Sequence, residues 1–489
     1  MRIRPALVVA AASALSACTV GPDYHAPTTA APAAFGEISG DAAAAAKHPD
    51  AAWWTTFHDP VLDSLIARAV RANPDLRAAQ ARVREARAVH KIASADHYPT
   101  VDATGDATRT RTSDNIADFP GSTSNLFQTG FDALWEIDVF GGVRRQVEAA
   151  EADLGASIED RRDVLVSLLA EVARNYVDLR GAQRQGAIAR ENLASQRSTL
   201  DLTRTRLVGG IATDLDVARQ ETQVAATEST IPSFESDARV AEHALAALVG
   251  LPPKALAAEL EPAGAIPATP PDVPVGLPSE LLLRRPDVRR AERQLAAATA
   301  RIGEAKADYF PRFSLTGAVG LASDDLDQLL DAHSRTASVG AGVRWRVLDF
   351  GRIEGNVEIR TAQEEQAAAA YESTVLASLR EVEDALVNLA NERTRHVSLA
   401  QAEHAAGRAV DLANQLWSAG RTDFLSVLDA QRNLFLAQDA LVQSERRTAL
   451  DLVALYKALG GGWESETEAE NDTRHGTPGE RKFDVSGSK

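Results

Sequence analysis

The chain has 489 residues, 45% of them hydrophobic and 25% charged, with a formal net charge of −17. That length and apolar content suffice for a large folded body, while so acidic a balance without clustered Lys and Arg argues against nucleic acid as a partner. No stretch reaches the ~20 apolar residues a helix needs to cross a bilayer, so any membrane passage falls to strands.

Arg2 and Arg4 precede an apolar run from Pro5 to Ala14, too short to span and shaped like a secretory signal peptide over 1–17. The run closes on Leu15-Ser16-Ala17-Cys18, which resembles a bacterial lipobox. Cys18 is the only cysteine, which excludes an internal disulfide and Cys-ligated metal. A buried thiol or a nucleophile are its other readings; its place after the apolar run favours a covalent, palmitate-type lipid anchor. Thr19 follows, where an Asp favours inner-membrane retention in enteric lipoproteins, so that resemblance implies sorting to the outer membrane. Residues 18–50, rich in Ala, Pro and Thr, read as an extended tether.

The remainder is a duplication. Pro74-Asp75 matches Pro286-Asp287 and Tyr98-Pro99 matches Phe310-Pro311 at a separation of 212; Trp135 matches Trp345, Phe140-Gly141 matches Phe350-Gly351 and Gly210 matches Gly420 at 210. The difference falls in the polar stretch between Pro99 and Trp135, where insertions are tolerated. Each half reads helix, strand, loop, strand, long helix, turn, helix: 51–250, then a linker over 251–285, then 286–460. Asn73 caps the helix that Pro74 opens, and Pro286 opens its twin.

Alternation predicts strands at about 100–111 and 126–139, and at about 312–322 and 336–348. Phe127, Phe131, Ala133, Trp135 and Ile137 alternate with Gln128, Asp132, Glu136 and Asp138, and Asp102 and Asp106 lie on the polar side of the partner strand. This suits lipid-out, lumen-in barrel strands with Asp132, Glu136 and Asp138 facing the lumen; a half-buried sheet in a soluble domain is the other reading. Known closed membrane barrels need about eight strands or more and an open edge in lipid is prohibitive, so with four strands per chain several copies must share one barrel.

Long helices are predicted over 143–207 and 352–416, which lack proline, and returning helices over 214–249 and 423–459. Val217, Val224, Ile231, Ala238 and Leu245 recur every seven residues, as do Val427, Leu434, Leu441, Thr448 and Leu455, the signature of coiled-coil packing. Pro232 is expected to kink the first of these. Residues 463–489 are polar and acidic and read as disordered.

These residues make the chain resemble an outer membrane factor of the TolC and OprM type, in its lipidated branch. The resemblance rests on Cys18-Thr19-Val20-Gly21-Pro22-Asp23-Tyr24, Trp53-Trp54 with Phe57 and Asp59-Pro60, Leu282-Leu283-Arg284-Arg285-Pro286-Asp287, Leu428-Asp429-Ala430-Gln431-Arg432 and Tyr456-Lys457-Ala458-Leu459-Gly460-Gly461-Gly462-Trp463. It implies an α+β membrane protein, a homotrimeric channel-tunnel with a shared twelve-stranded barrel in outer-membrane lipid and a long periplasmic coiled-coil barrel. It also implies export as part of a tripartite efflux pump, with a periplasmic adaptor (membrane fusion protein) and an inner-membrane pump of the resistance-nodulation-division type. Small molecules are the preferred cargo and secreted polypeptides the alternative.

Adaptor-contacting tips are expected at Gly209, Gly210, Thr213 and Asp214 and at Gly420, Arg421, Thr422 and Asp423, although helix-stop glycines and capping residues there need no functional reason. Leu425, Asp429 and Arg432 match the positions that line the closed periplasmic aperture in the OprM-like branch. They share one helical face, and an ordinary solvated Asp-Arg pair is the competing reading. No cofactor beyond the lipid and no metal site is implied. An enzyme is disfavoured because no His-Glu-x-x-His, Gly-x-Gly-x-x-Gly after a strand, or phosphate-binding loop occurs. A lipid-anchored coiled-coil stalk explains the heptads but not paired amphipathic strands in both halves.

Overall fold

The computed structural model describes residues 19–28, 32, 34–36, 51–115, 118, 120–270, 273, 275–276 and 278–464. Cys18, the signal segment, most of the tether and the tail from 465 lie outside the described residues. The helices are α1 (Pro60–Ala72), α2 (Pro74–Ala95), α3 (Gly142–Val208), α4 (Asp214–Leu248), α5 (Ala257–Leu260), α6 (Pro278–Arg284), α7 (Pro286–Ala307), α8 (Arg352–Ser418) and α9 (Phe424–Ala458). The strands are β1 (Thr100–Arg111), β2 (Thr123–Ile137), β3 (Arg312–Ser323) and β4 (Arg335–Arg344). None of the described helices is long and apolar enough to cross a membrane. The chain divides into two compact units, one of Met1–Thr29, Ala81–Ile158 and Arg290–Ser373, the other of Ala30–Gln80, Glu159–Arg289 and Thr374–Lys489.

The first unit holds an antiparallel sheet in the order β1-β2-β3-β4. Every cross-strand pair joins odd to odd or even to even, as in Asp102↔Asp132, Phe131↔Val319 and Val319↔Ala337. All odd residues therefore share one face. Val101, Phe131, Trp135, Leu315, Val319, Val339 and Val343 stand exposed there. The even face carries Asp102, Asp106, Asp132 and Glu136, with Leu126 and Leu134 as apolar exceptions. One end of the sheet is pinned twice in the same way: the Trp135 indole donates to the His97 carbonyl and the Trp345 indole to the Tyr309 carbonyl, both at 3.0 Å.

β4 ends at Arg344, whereas alternation carries the predicted strand to 348. Arg344 pairs with Arg312, and Pro311 lies just before it, so β3 offers no partner further on. β2 likewise ends at Ile137, short of the predicted 139.

The second unit is a helical body around Leu62, Leu65, Ile66, Leu165, Leu169, Tyr176, Leu245, Leu452, Leu455 and Tyr456. Trp53 stacks on Tyr456 at 5.1 Å. The duplication recurs in its joints. Asn73 caps α2, accepting from the Asp75 and Leu76 amides, and donates to the Leu248 carbonyl at 2.9 Å; at the equivalent place Arg285 donates to the Ala458 carbonyl at 2.9 Å. Gly250 and Gly460 end the two returning helices with φ of 72° and 67°, a left-handed conformation that glycine adopts without strain.

α4 runs as one helix through Pro232, and the linker contains the short helices α5 and α6. The start of the supposed tail is packed: the Trp463 indole donates to the Arg284 carbonyl and sits under the Arg162 guanidinium, and Glu464 pairs with Arg284 at 2.8 Å.

Candidate functional site

The hairpin tips in the second unit are built by the same local rules in both repeats. α3 ends on a Schellman turn: Ile211 N–H donates to the Arg206 carbonyl at 2.8 Å and Gly210 N–H to that of Leu207 at 2.9 Å, with Gly210 at φ 72°. Arg421, Leu416, Gly420 and Trp417 repeat this after α8, with Gly420 at φ 67°. A Cβ at Gly210 or Gly420 meets nothing within 4 Å, so the backbone angle, not crowding, selects glycine. Thr213 caps α4 in a reciprocal capping box with Asp216, leaving Asp214 exposed in the first turn. Asp423 caps α9, accepting from the Ser426 hydroxyl at 2.6 Å and the Ser426 amide at 3.0 Å. These hydrogen bonds hold its carboxyl below the ordinary value, with Arg219 adding a small attraction. Thr422 donates to the Ser426 hydroxyl, and Gly209 and Arg421 are exposed.

Behind the second tip, Trp417, Phe424, Val427 and Leu428 form a small core. Arg206, from the first hairpin, lies 4.0 Å over the Trp417 ring and donates to the Trp417 carbonyl at 3.1 Å and the Ser418 carbonyl at 3.4 Å. A cation there also meets the negative end of α8. This clamp joins the two hairpins of one chain.

Leu425, Asp429 and Arg432 fall within about 60° of one another around α9, away from the buried Val427, Leu428 and Gln431. Leu425 is 44% exposed. Asp429 and Arg432 pair within the chain at 3.1 Å, both half-exposed.

The helix faces behind the tips are more polar than the heptads imply. Gln220 and Thr227, rather than Val217, Val224 or Ile231, are the buried positions in the distal part of α4. Gln220 donates to the Gln196 carbonyl at 2.8 Å, Gln431 to the Thr199 hydroxyl at 3.0 Å, and Asn192 to Gln438 at 2.7 Å. The Gln196 side chain is 1% exposed, and neither of its amide atoms has a partner among the described residues.

In the first unit, Asp132 and Glu136 lie on the even face of β2, with Asp132 accepting from the Thr104 hydroxyl at 3.1 Å. Asp138 lines the same cavity as Glu136, Arg312 and Arg344 but stands outside the ladder. It follows the end of β2, and its carboxylate accepts from the Arg144 amide at 2.9 Å and pairs with the guanidinium at 3.3 Å, tying down the start of α3. The alternation that made it a lumen candidate runs one turn past the ladder.

The segment after Cys18 is docked in the same unit. Val20 N–H donates to the Phe140 carbonyl at 3.1 Å, and a Cβ on Gly141 would strike Thr19. Gly21 packs on Gly303. Arg145, 3% exposed, donates to the Val20 carbonyl at 3.2 Å and pairs with Asp23 and Glu148 at 2.7 Å. Tyr24 donates to Glu292, and burial with that carboxylate pushes its hydroxyl up. The sequence reading missed Arg206, Arg145 and the buried glutamines. The signal available was divergence between the repeats: the equivalents 210 residues on are Leu416 for Arg206, Gly355 for Arg145 and Ala406 for Gln196. Among the described residues no cluster of three or more His, Cys, Asp or Glu is placed to hold a metal.

A family model described as outer membrane efflux protein matches residues 65–251 and 277–461, one stretch per repeat. The chain is 36% identical over 430 residues to the pyoverdine export outer membrane protein OpmQ of Pseudomonas aeruginosa, covering 85% of this chain and 88% of that protein. It is 32% identical to the cation efflux system protein CusC of Escherichia coli, covering 92% and 98%. The solved structure of the outer-membrane channel OprN superposes with a TM-score of 0.86 at 37% identity, covering 91% of this chain and all of that one.

Proposed function

The chain belongs to the outer membrane efflux protein family and is an outer-membrane export channel; from that premise we propose that it works as a homotrimer sharing one twelve-stranded barrel. The observation that carries this is the sheet: four strands, an exposed apolar odd face, a carboxylate-bearing even face and an unpaired edge on both β1 and β4. In hydrocarbon each unpaired backbone group costs several kcal/mol, so the edges require other strands, and a symmetric ring of copies supplies them. Lipid then meets the odd face, and Asp102, Asp106, Asp132 and Glu136 line the conduit.

Cys18 carries a lipid, and the docked stretch from Thr19 to Tyr24 holds it beside the end of β2. The tips at Gly209, Gly210, Thr213 and Asp214 and at Gly420, Arg421, Thr422 and Asp423 receive the periplasmic adaptor, which joins the channel to an inner-membrane pump of the resistance-nodulation-division type. Leu425, Asp429 and Arg432 form the periplasmic gate. The cargo is a small molecule. Relatives of similar identity are named for pyoverdine and for cations, so its class is set upstream of this chain.

Protein extracted from outer membranes is expected to run as a heat-resistant trimer and to conduct ions in planar bilayers. A monomeric membrane-bound species, or an oligomer without conductance, overturns the reading.

A further inference from the structure

At the end of the sheet where β1 begins and β4 finishes, the two unpaired edges carry opposite charge. On β4 and just beyond it, Arg344 and Arg346 are exposed and have no ion-pair or hydrogen-bond partner among the described residues. Arg344 is directly opposed to Arg312, whose charge is already met by Asp308 at 2.6 Å and Glu136 at 3.7 Å. Like charges directly opposed in a sheet are destabilising. On the β1 edge, Asp102 and Asp106 are exposed and similarly without partners among the described residues. Asp102 is opposed to another carboxylate, Asp132. At this end, therefore, the β1 edge is acidic and the β4 edge basic, while Arg109 and Arg111 lie at the far end of β1.

The stagger of the ladders fixes how the edges meet. Thr100, at one end of β1, aligns with Leu134, then Thr316, then Gly340. Leu134 lies three residues and Thr316 four from that end of their strands, at Ile137 and Arg312, and Gly340 lies four from Arg344 and seven from Val347, where the apolar alternation stops. The next β1 must continue that slant. Matching odd to odd, so that both apolar faces remain one surface, leaves few registers. The one that places Leu348 opposite Thr100 puts Val347 against Val101, and sets Trp345 against Ala103 and Val343 against Gly105, large against small. It absorbs the exposed Trp345 and Val347, for which β3 has no partner. Of the two registers two residues away, one leaves Val347 beyond β1 and opposes Arg335 to Arg111, and the other sets Leu348 against Asp102, although each places Arg344 opposite one Asp.

We infer that Asp102 of one copy lies opposite Arg346 of the next, with Arg344 opposite Thr104 and diagonal to Asp102 and Asp106, and that this charge lock sets the register of the inter-subunit seam. The inference rests on the shared barrel proposed above. Directly opposed strand residues are about 5 Å apart between Cβ atoms, close enough for a cysteine pair to be oxidised after small adjustment.

The experiment compares D102C with R346C, R344C or L348C in full-length protein from membranes, with each single cysteine as a control. D102C with R346C is expected to give the most oxidant-dependent covalent oligomer after boiling. As a second measurement, D102R or R346D alone should lower the amount of heat-resistant oligomer severalfold, and the two together should recover most of it. Stronger linking of D102C to R344C or L348C, or no recovery in the charge swap, overturns the lock. If the parent chain forms no oligomer at all, the shared barrel itself fails, and the parent control reports that separately.

Discussion

Replacing Arg206 by Ala removes the contact that holds the first hairpin to the second. The 3.1 Å hydrogen bond from a guanidinium to the Trp417 carbonyl contributes about 1.5 kcal/mol at this partly buried site. The stack on the Trp417 ring adds about 0.5–1 kcal/mol, and the exposed 3.4 Å contact to Ser418 adds little. Some 2 kcal/mol per chain corresponds to about a thirtyfold shift in the local balance between clamped and parted tips. The exposed Asp429–Arg432 pair, at about 0.2–0.5 kcal/mol within one chain, is several times weaker. Arg206→Ala should therefore raise single-channel conductance in planar bilayers and sensitise cells to large antibiotics entering from outside, with oligomer abundance unchanged. Arg206→Lys keeps a charge near the end of α8 but loses the planar stack, and should fall between. Parental conductance and resistance in Arg206→Ala would refute the idea that this clamp limits opening.

Asp429→Ala combined with Arg432→Ala should also raise conductance without lowering oligomer abundance; parental values would place the aperture elsewhere. Gln196→Leu replaces a buried amide without partners by an apolar chain of similar volume and should stabilise the protein by about 1–3 kcal/mol, read as a higher melting temperature; a lower one would show that the amide is bonded in the native state. Burial raises the Asp451 carboxyl above its usual value, with Glu392 adding to the rise and Arg447 opposing it. A raised folded-state value means that this carboxyl's contribution to stability is full below the unfolded pKa of about 3.9 and is lost as pH rises through the folded value. Asp451→Asn should thus raise the melting temperature at pH 7 and leave it nearly unchanged below pH ~4; a loss at pH 7 would contradict the sign. In a salt gradient, the carboxylates of the even face should favour cations, and a reversal potential showing anion preference would mean that the faces are assigned the wrong way round.

The sheet was readable because its signal is local: alternating residues state which face they occupy whatever lies beside them. The ends of strands were not readable, because an end is set by the partner. Trp345 and Val347 alternate as well as Val343 does, yet β3 has run out opposite them. Asp138 keeps the parity of Asp132 and Glu136, yet Arg144 takes it. In the helices, Leu165, Leu169, Val172, Tyr176 and Leu179 recur at spacings of three and four, and that periodicity marks the apolar core in which they are buried. It gave no hint that further along α3 Gln196 and Thr203 are buried beside Leu193 and Leu200, since buried glutamine and threonine look like surface until a second helix covers them.

Duplication explains which contacts belong to the frame and which to the working parts. Features that recur in both halves, such as the two tryptophan pins, the two Schellman turns and the ties to Leu248 and Ala458, are what either half needs to fold. Residues that differ are free of that requirement. Counting back 210 from Leu425, Asp429 and Arg432 reaches Leu215, Arg219 and Thr222, so the first hairpin lacks this intrahelical pair and instead joins its two helices through Arg204 and Glu221 at 2.7 Å. Arg219 instead lies close enough to act on the Asp423 carboxylate of the second tip, and Arg206 reaches across to Trp417. Arg206 and Arg219 of the first hairpin thus serve the second, whose own Asp429–Arg432 pair stays on an exposed face. A ring in which every hairpin carried the same acid would bring twice as many like charges to one axis. In the trimeric gate proposed above, confining the pair to one hairpin in two would let three copies close an aperture that a modest input of adaptor-binding energy reopens.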